Sequence, residues 1–339
     1  MIIVTGGAGF IGSNLVHQLN AAGHRDILVV DNLAPAPHLS APKFLNLQGA
    51  QYADYMDKLD FLDSLIEGDF DDEPIQAILH QGACSNTLED DGQYMMRNNF
   101  DYSKVLLHFA TEREIPFVYA STAAVYGAST NFAVEPANER PLNVYGFSKL
   151  VFDNYVRRLL PTFTSTVVGL RYFNVYGQRE AHKGRMASVL HHFTKQLLDT
   201  GAIRMFQGSG GYADGEQRRD FVFVDDLARI NLFFAGLLPD SPRSPTQGIV
   251  NAGTGEARTF KAVAEALMQT HRPGIIEFIP FPGDLKDRYQ HFTQADLSGL
   301  RAAGYTHPFT TLEVGTRQTF NPAPNQEPNQ GTNQEPRQT

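Results

Sequence analysis

Three residues in the middle of the chain are of the types that proton transfer uses. Tyr145 and Lys149 stand four apart in N-V-Y-G-F-S-K (Asn143–Lys149), and Thr122 follows the apolar run Ile115–Ala120. Side chains four apart on a helix share a face, so the ammonium of Lys149 can lie near the phenol of Tyr145. One positive charge at about 4 Å, with an effective dielectric of about 20, is worth ~4 kcal/mol or about three pK units. That is enough to draw a phenol toward neutrality, where it serves as general acid and base. Thr122 would hydrogen-bond the substrate oxygen and steady it. The alternative is a surface tyrosine beside a solvated lysine, because Y-x-x-x-K is common by chance; the loop at the start of the chain weighs against it.

That loop, T-G-G-A-G-F-I-G (Thr5–Gly12), lies between an apolar run and a helix-like stretch. Its glycines Gly6, Gly9 and Gly12 let the backbone come close to a pyrophosphate, whose charge sits on the free N–H groups of the helix start. An acid, Asp31, ends the next apolar run 19 residues after Gly12, where dinucleotide-binding units hold a ribose 2′-hydroxyl. An acid there favours NAD and repels the 2′-phosphate of NADP. Asn32, however, can donate hydrogen bonds, and Lys43 and Lys58 follow; two lysines outweigh one carboxylate unless both are simply solvated.

The elements that must position these groups follow from hydrophobic pattern. Ile2–Val4, Ile27–Val30, Ile75–Leu79, Ile115–Ala120 and Thr166–Leu170 are short runs, apolar along most of their length, as buried parallel strands are. Helix-like stretches near Phe10–Ala22, Lys58–Glu67, Gln93–Glu112 and Gly146–Leu160 alternate with them. The expected fold is α/β, a Rossmann-type doubly wound parallel sheet over residues 1–175. Beyond Tyr176 the regularity loosens, with helical pieces near Met186–Asp199, Asp225–Gly236, Thr259–His271 and Thr311–Phe320 between Gly- and Pro-rich loops. That half, 176–320, is expected to be a smaller mixed α/β substrate domain interleaved with the sheet edge. Residues 321–339 repeat an N-Q-E-P theme almost without apolar residues and are expected to be a disordered tail.

Composition narrows the function. The 339 residues are 42% hydrophobic, and 28 Lys and Arg against 37 Asp and Glu leave a net charge of −9, which argues against a broad nucleic-acid or anionic-membrane face. The single cysteine, Cys84, rules out an internal disulfide framework and is expected to be a small packed side chain. No Cys/His cluster has zinc-site spacing, so no metal is expected. With no leader-like start and no run near the roughly 18 apolar residues of a membrane span, the expected location is the cytoplasm.

The motifs T-G-G-x-G-F-I-G, S-T-A-A-V-Y-G (Ser121–Gly127) and N-V-Y-G-F-S-K resemble the extended short-chain dehydrogenase/reductases, which act on nucleotide-sugars. Further stretches, among them R-Y-F-N-V-Y-G-Q-R-E-A-H-K-G (Arg171–Gly184), R-R-D-F-V-F-V (Arg218–Val224) and Y-Q-H-F-T-Q-A-D-L (Tyr289–Leu297), resemble the ADP-glyceromanno-heptose 6-epimerase branch from about Met1 to Phe320. The resemblance implies NADP held by Phe10, Ile11, Asp31, Asn32, Lys43, Lys58, Gln81, Gly82, Ala83, Cys84, Ser85, Asn98, Lys149 and Val175. It implies proton transfer by Tyr145 and Lys183, and an ADP-heptose bound by Asn174, His192, Phe206, Gln207, Gly208, Ser209, Arg219 and Tyr289. It further implies lipopolysaccharide heptose synthesis and a homo-oligomer, a homopentamer in the usual case. Two transfer groups have a reason: a fixed nicotinamide delivers hydride from one side, so inversion requires the ketone to turn over, and its oxygen then occupies two places.

Three features depart from that pattern: the insertion Ala34–Pro42 before Lys43, Arg185 where the branch has a serine on its substrate, and the longer loop Gly210–Gln217. Arg219 can grip a diphosphate or pair with Asp220. A 4,6-dehydratase is disfavoured because Ala123 and Ala124 occupy the places of its acidic pair. A UDP-galactose-type 4-epimerase leaves Lys183 without a task. A non-catalytic NADP(H) sensor leaves Thr122, Tyr145 and Lys149 unexplained.

Overall fold

The computed structural model describes residues 1–33, 40–282 and 289–320. The expectations for 321–339 and for residues 34–39 of the insertion lie outside the described residues. Six strands and the helices between them come from the first half: β1 (Ile2–Thr5), α1 (Phe10–Ala21), β2 (Ile27–Asp31), β3 (Asp54–Asp57), α2 (Lys58–Glu67), β4 (Ala77–His80), α3 (Gly92–Met96), α4 (Tyr102–Glu112), β5 (Phe117–Thr122), α5 (Val144–Leu159) and β6 (Val167–Tyr172). The second half adds β7 (Asn174–Tyr176), α6 (Val189–Thr200), β8 (Ala202–Phe206), β9 (Arg218–Phe223), α7 (Val224–Phe234), β10 (Gln247–Ala252), β11 (Ala257–Thr259), α8 (Phe260–Thr270), β12 (Ile275–Ile279), α9 (Ser298–Ala302) and α10 (Leu312–Phe320).

Seven strands form one sheet in the order β10-β6-β5-β4-β1-β2-β3, parallel throughout. This is the doubly wound arrangement the alternation implied. Successive residues of β1 face opposite ways: Ile2 and Val4 pack with Leu15, Val16 and Leu19 of α1 and Leu227 of α7, while Ile3 packs with Phe61 and Leu65 of α2, Leu106 and Leu107 of α4, and Phe152 of α5. With both faces covered, the strands read as continuous apolar runs. The half after residue 176 contributes α7 and β10 to this layer. Its remaining elements form a three-stranded sheet, β11-β9-β7, and the pair β12-β8, with a core of Phe193, Met205, Phe221, Val263 and Leu267.

The stretch expected as one helix over Gln93–Glu112 is interrupted: Arg97–Asp101 form a π turn between α3 and α4. Hydrophobic spacing does not register one extra residue per turn. The wider turn aims Asn99 inward, where its amide brackets the Cys84 backbone, accepting from the N–H at 2.8 Å and donating to the C=O at 2.9 Å. The stretch expected as helical from Met186 begins at Val189 instead, after a 3-10 segment, Ala181–Met186, broken by Gly184 at φ 54°.

Buried charge locks α5 to the sheet. Asp153, fully buried, accepts from Arg171 Nε and Nη2 at 3.0 and 2.9 Å, from Ser121 Oγ at 2.9 Å and from Tyr119 Oη at 3.0 Å. Removing one partner of such a set strands the other in low dielectric. At its N-terminus α5 is capped by Asn143, whose Oδ1 accepts from the Gly146 N–H at 2.8 Å.

Gly12 is fixed by contact rather than by φ. A Cβ there would lie 2.0 Å from the Gly6 carbonyl oxygen and 2.9 Å from Gly7 Cα. A Gly12→Ala variant is therefore expected to lose about 1–3 kcal/mol of stability from overpacking and to push the loop off α1. A lowered thermal midpoint together with loss of bound dinucleotide checks this.

Candidate active site

The C-terminal ends of β1, β2, β4, β5 and β6 converge on one edge of the sheet, where parallel α/β proteins bind ligands. The glycine loop leaves β1 there. Gly6 takes φ 66°, and a Cβ on it would lie 2.7 Å from the Gly82 amide nitrogen, so this loop and the Gln81–Ser85 loop pass with no side chain between them. Gly9 caps α1 without a side-chain hydrogen bond, leaving the first helical amides for an anion. This cradle fits the pyrophosphate of a dinucleotide.

Asp31 ends β2, buried, with every oxygen engaged. Its Oδ2 accepts from the Ala8 N–H at 2.8 Å, and its Oδ1 accepts from the Asn32 N–H at 2.6 Å and from Lys43 Nζ at 2.5 Å. Despite the insertion before it, Lys43 therefore reaches the cofactor end. Lys58 donates to Asn98 Oδ1 at 2.6 Å. Burial, with opposing help from Asp57 and repulsion from Lys43, holds its ammonium below the ordinary lysine value. The two lysines are not freely solvated surface groups: Lys43 pairs with Asp31, and Lys58, held by Asn98, lies close enough to feel Asp57, Lys43 and Asp31. Gln81 turns its side chain inward, accepting from Tyr172 Oη at 2.9 Å and donating to Asn231 Oδ1 at 3.0 Å. Ala83 and Ser85 are exposed, Cys84 is partly buried, and Val175 packs beside Ile11 under the cofactor loop.

Tyr145 and Lys149 occupy successive turns of α5 as the spacing predicted, but their electrostatics reverse the expectation. Lys149 Nζ donates to the Ala120 carbonyl at 2.9 Å. Burial raises the Tyr145 phenol above its ordinary value, only partly offset by a hydrogen bond from the Thr122 side chain. The same burial lowers Lys149 to about 8, against an upward pull from Asp153. Desolvation outweighs the attraction assumed from spacing alone, because both groups are removed from water. Tyr145 thus differs from the phenol expected from spacing, which a neighbouring ammonium would have drawn downward.

Lys183 lies in the 3-10 segment Ala181–Met186, and its Nζ sits 5.4 Å from the centroid of the Phe10 ring. It is partly buried, and burial lowers its ammonium below the usual lysine value, with Glu180 pulling the other way. A lysine so placed gives up its proton more readily than one in solvent. Glu180 anchors the segment, accepting from Ser188 Oγ at 2.8 Å. Arg185, by contrast, is exposed.

The remaining candidates gather around β9. Arg219 is buried, its guanidinium 4.8 Å from the Tyr289 ring and 5.6 Å from that of Phe260. Among the described residues it has no carboxylate partner: Asp220 points to the opposite face of the strand and accepts from Thr254, Gly255 and Ala295 amides at 2.7, 2.8 and 3.0 Å. The alternative of an Arg219–Asp220 pair is therefore overturned by strand alternation. A buried cation of this kind suits a diphosphate. Ser209 Oγ lies between Gln217 Nε2 and His291 Nε2, at 3.2 and 3.1 Å. Gly208 donates to Asp214 Oδ1 at 2.7 Å, Phe206 packs on Phe281, Gln207 is exposed, and Asn174 accepts from Thr293 Oγ1 at 3.2 Å. His192, on the first turn of α6, stacks edge-on against His191. A cavity of about 270 Å³ adjoins this group, lined by Ser129, Tyr212, Tyr289 and His291. Sequence reasoning missed Asn46, Glu180, His182, Gln217 and His291, which enter through long-range pairing and carry no local motif.

The Lys149 shift makes a signed stability claim. Its folded value near 8 lies below the ordinary 10.5, so the unfolded chain holds more protons between those values and stability rises with pH across that window. Below it the full penalty, about 3 kcal/mol, is present. Lys149→Met is expected to raise the thermal midpoint at pH 7 while abolishing activity, and to show a flatter rise than the wild type between pH 8 and 10 when melting is followed by calorimetry.

The comparisons agree with this geometry. Residues 2–253 match the sequence profile described as the NAD dependent epimerase/dehydratase family. The chain is similar to an ADP-L-glycero-D-manno-heptose-6-epimerase of Alkalilimnicola ehrlichii, 58% identical over 94% of this chain and 95% of the relative. Of solved structures, it is similar to the Helicobacter pylori ADP-L-glycero-D-manno-heptose-6-epimerase, with a TM-score of 0.79 and 30% identity, covering 94% of each chain. It is also similar to the Thermus thermophilus UDP-glucose 4-epimerase complexed with NAD, with a TM-score of 0.72 and 27% identity over 94% of this chain and 97% of that one. With a glycine cradle for a nicotinamide dinucleotide and an α5 tyrosine beside it, the chain belongs to the NAD dependent epimerase/dehydratase family of enzymes.

Proposed function

We propose that this enzyme interconverts ADP-D-glycero-β-D-manno-heptose and ADP-L-glycero-β-D-manno-heptose at C6″, with NADP retained and regenerated in each turnover. The observation that carries the reading is Lys183: a lysine drawn out of solvent over Phe10, at the mouth of the cofactor loop and on a different element from Tyr145. The name of the Alkalilimnicola ehrlichii relative supports the substrate. Lys43 on Asp31, with Lys58 beside them, supports a 2′-phosphate over a bare ribose.

When bound, the nicotinamide supplies a reversible hydride acceptor at a fixed place. Tyr145, steadied by Thr122, handles the C6″ oxygen in one orientation, and Lys183 handles it after the ketone has turned. Oxidation sends the alcohol proton to one of these groups; reduction takes a proton from the other. Arg219 and Tyr289, with Phe206–Ser209, hold the ADP moiety so that the sugar end alone is free to rotate. Residues 176–320 accordingly serve as the substrate-binding part and 1–175 as the NADP-binding part. The same reading, on the family resemblance, has the enzyme working in the cytoplasm as a homo-oligomer that supplies heptose for the lipopolysaccharide inner core.

Purified protein incubated with ADP-D-glycero-β-D-manno-heptose and no added cofactor is expected to form the L-glycero epimer, read by NMR at C6″, and to release NADP rather than NAD on denaturation, read by mass. Tyr145→Phe and Lys183→Ala, folded and cofactor-loaded, should each lose on the order of 10²–10⁴ in rate. Wild-type rates in both variants would refute the two-group scheme, and bound NADP without turnover would favour a sensor.

A further inference from the structure

The short turn that carries Lys43 and the segment that carries Lys183 are stitched together. Lys43 opens a five-residue 3-10 turn, Lys43–Leu47, and Asn46 lies on the same turn. The Asn46 side-chain amide donates to the Ala8 carbonyl at 2.9 Å and lies 3.0 Å from His182 Nδ1. Just before the turn, the Ser40 N–H donates to the His182 carbonyl at 2.9 Å, and Ser40 Oγ donates to the Ala181 carbonyl at 2.5 Å. His182 Nδ1 also lies 3.1 Å from the Arg179 carbonyl. Asn46 and His182 are both buried, so these contacts are made away from competing water. The result is a closed circuit: Asp31 holds Ala8 and Lys43, Ala8 holds Asn46, and Asn46 holds the residue next to Lys183.

We propose that Asn46 and His182 are positioning residues that tie the seat of the cofactor's 2′-phosphate to Lys183, so that seating the phosphate on Lys43 sets the place of the catalytic ammonium. The inference rests on the proposed function for the role of Lys183, but the tie itself does not. Drawing Lys43 from the carboxylate to a phosphate moves a turn only five residues long, and the Asn46 amide moves with it. Segment 181–186 is held at its two ends, where Glu180 accepts from Ser188 Oγ at 2.8 Å and the Ala187 N–H donates to the Gly184 carbonyl at 3.1 Å, while the Lys183 N–H donates to the Glu180 carbonyl at 2.9 Å and Gly184 breaks the turn immediately afterwards, leaving the stretch at His182 to follow the Asn46 bridge. Coupling of this kind needs discrete contacts with two arrangements, which the Lys43–Asp31 pair and the Asn46 bridge supply.

Hydrogen exchange of the full chain, loaded with NADP or with NAD, isolates the effect of the 2′-phosphate. In wild type the amides of 181–186 should exchange about tenfold more slowly with NADP than with NAD, and in Asn46→Ala that difference should vanish. Ser40→Ala, at an exposed position that the fold tolerates, should reduce the difference and decides the matter if Asn46→Ala does not fold. No difference in wild type, or an undiminished one in the folded variants, overturns the proposal. A double-mutant cycle gives the catalytic arm: Asn46→Ala should lower kcat about tenfold with little change in KM, and should cost nothing further in a Lys183→Ala background. Equal fractional losses in both backgrounds would show that Asn46 does not act through Lys183. If wild type does not epimerise the ADP-heptose, the proposed function falls, while the exchange experiment still decides the tie.

Discussion

One buried carboxylate holds the ligand edge of this sheet together. Asp31 cannot be left bare at the end of β2, because an ionised carboxylate in low dielectric costs several kcal/mol unless donors surround it. Its donors are the Ala8 and Asn32 amides and the Lys43 ammonium. The first fixes the glycine loop, and with it the start of α1. The last brings in the chain that follows the insertion. Through Ala8 and Asn46 the same carboxylate reaches the Lys183 segment. The Lys43 turn and the Lys183 segment thus share a single electrostatic anchor, although Lys43 and Lys183 lie far apart in sequence.

The parts of this arrangement that sequence made legible are those set by local physics. Buried strands such as β1, β2, β4, β5 and β6 read as apolar runs because both faces are covered, and α2 was readable from Lys58 to Glu67 because Asp57 caps it and Gly68 stops it. Strand β3, D-Y-M-D, was invisible: it is an edge strand, largely polar, identified only by pairing with β2. Strand β10 carries Gly248 and Asn251 amid its apolar residues and joins β6 only in the folded chain. The site divides in the same way. The glycine loop, Asp31 and the Tyr145–Lys149 spacing are local and were legible. The sign of the Tyr145 shift was not, since burial is a property of the whole packed molecule. Nor was the setting of Lys183, whose nearest aromatic partner lies at Phe10, at the other end of the Rossmann half.

Burial moves Tyr145 and Lys183 in opposite senses, and the proposed reaction, which must run both ways, would use each as donor and acceptor in turn. The Tyr145 phenol is pushed up and the Lys183 ammonium is pushed down, in both cases chiefly by burial. Epimers of one sugar differ little in energy, so neither direction can rely on a strong acid or a strong base. If Tyr145 gives its proton while Lys183 takes one, a turnover ends with the pair in the reverse protonation state, ready for the other epimer. A second turnover in the same direction requires both groups to recover their first protonation states through solvent. The low dielectric disfavours the charged form of each group, phenolate and ammonium alike, without any added charge. The packing that buries both groups thereby sets the direction in which each is moved.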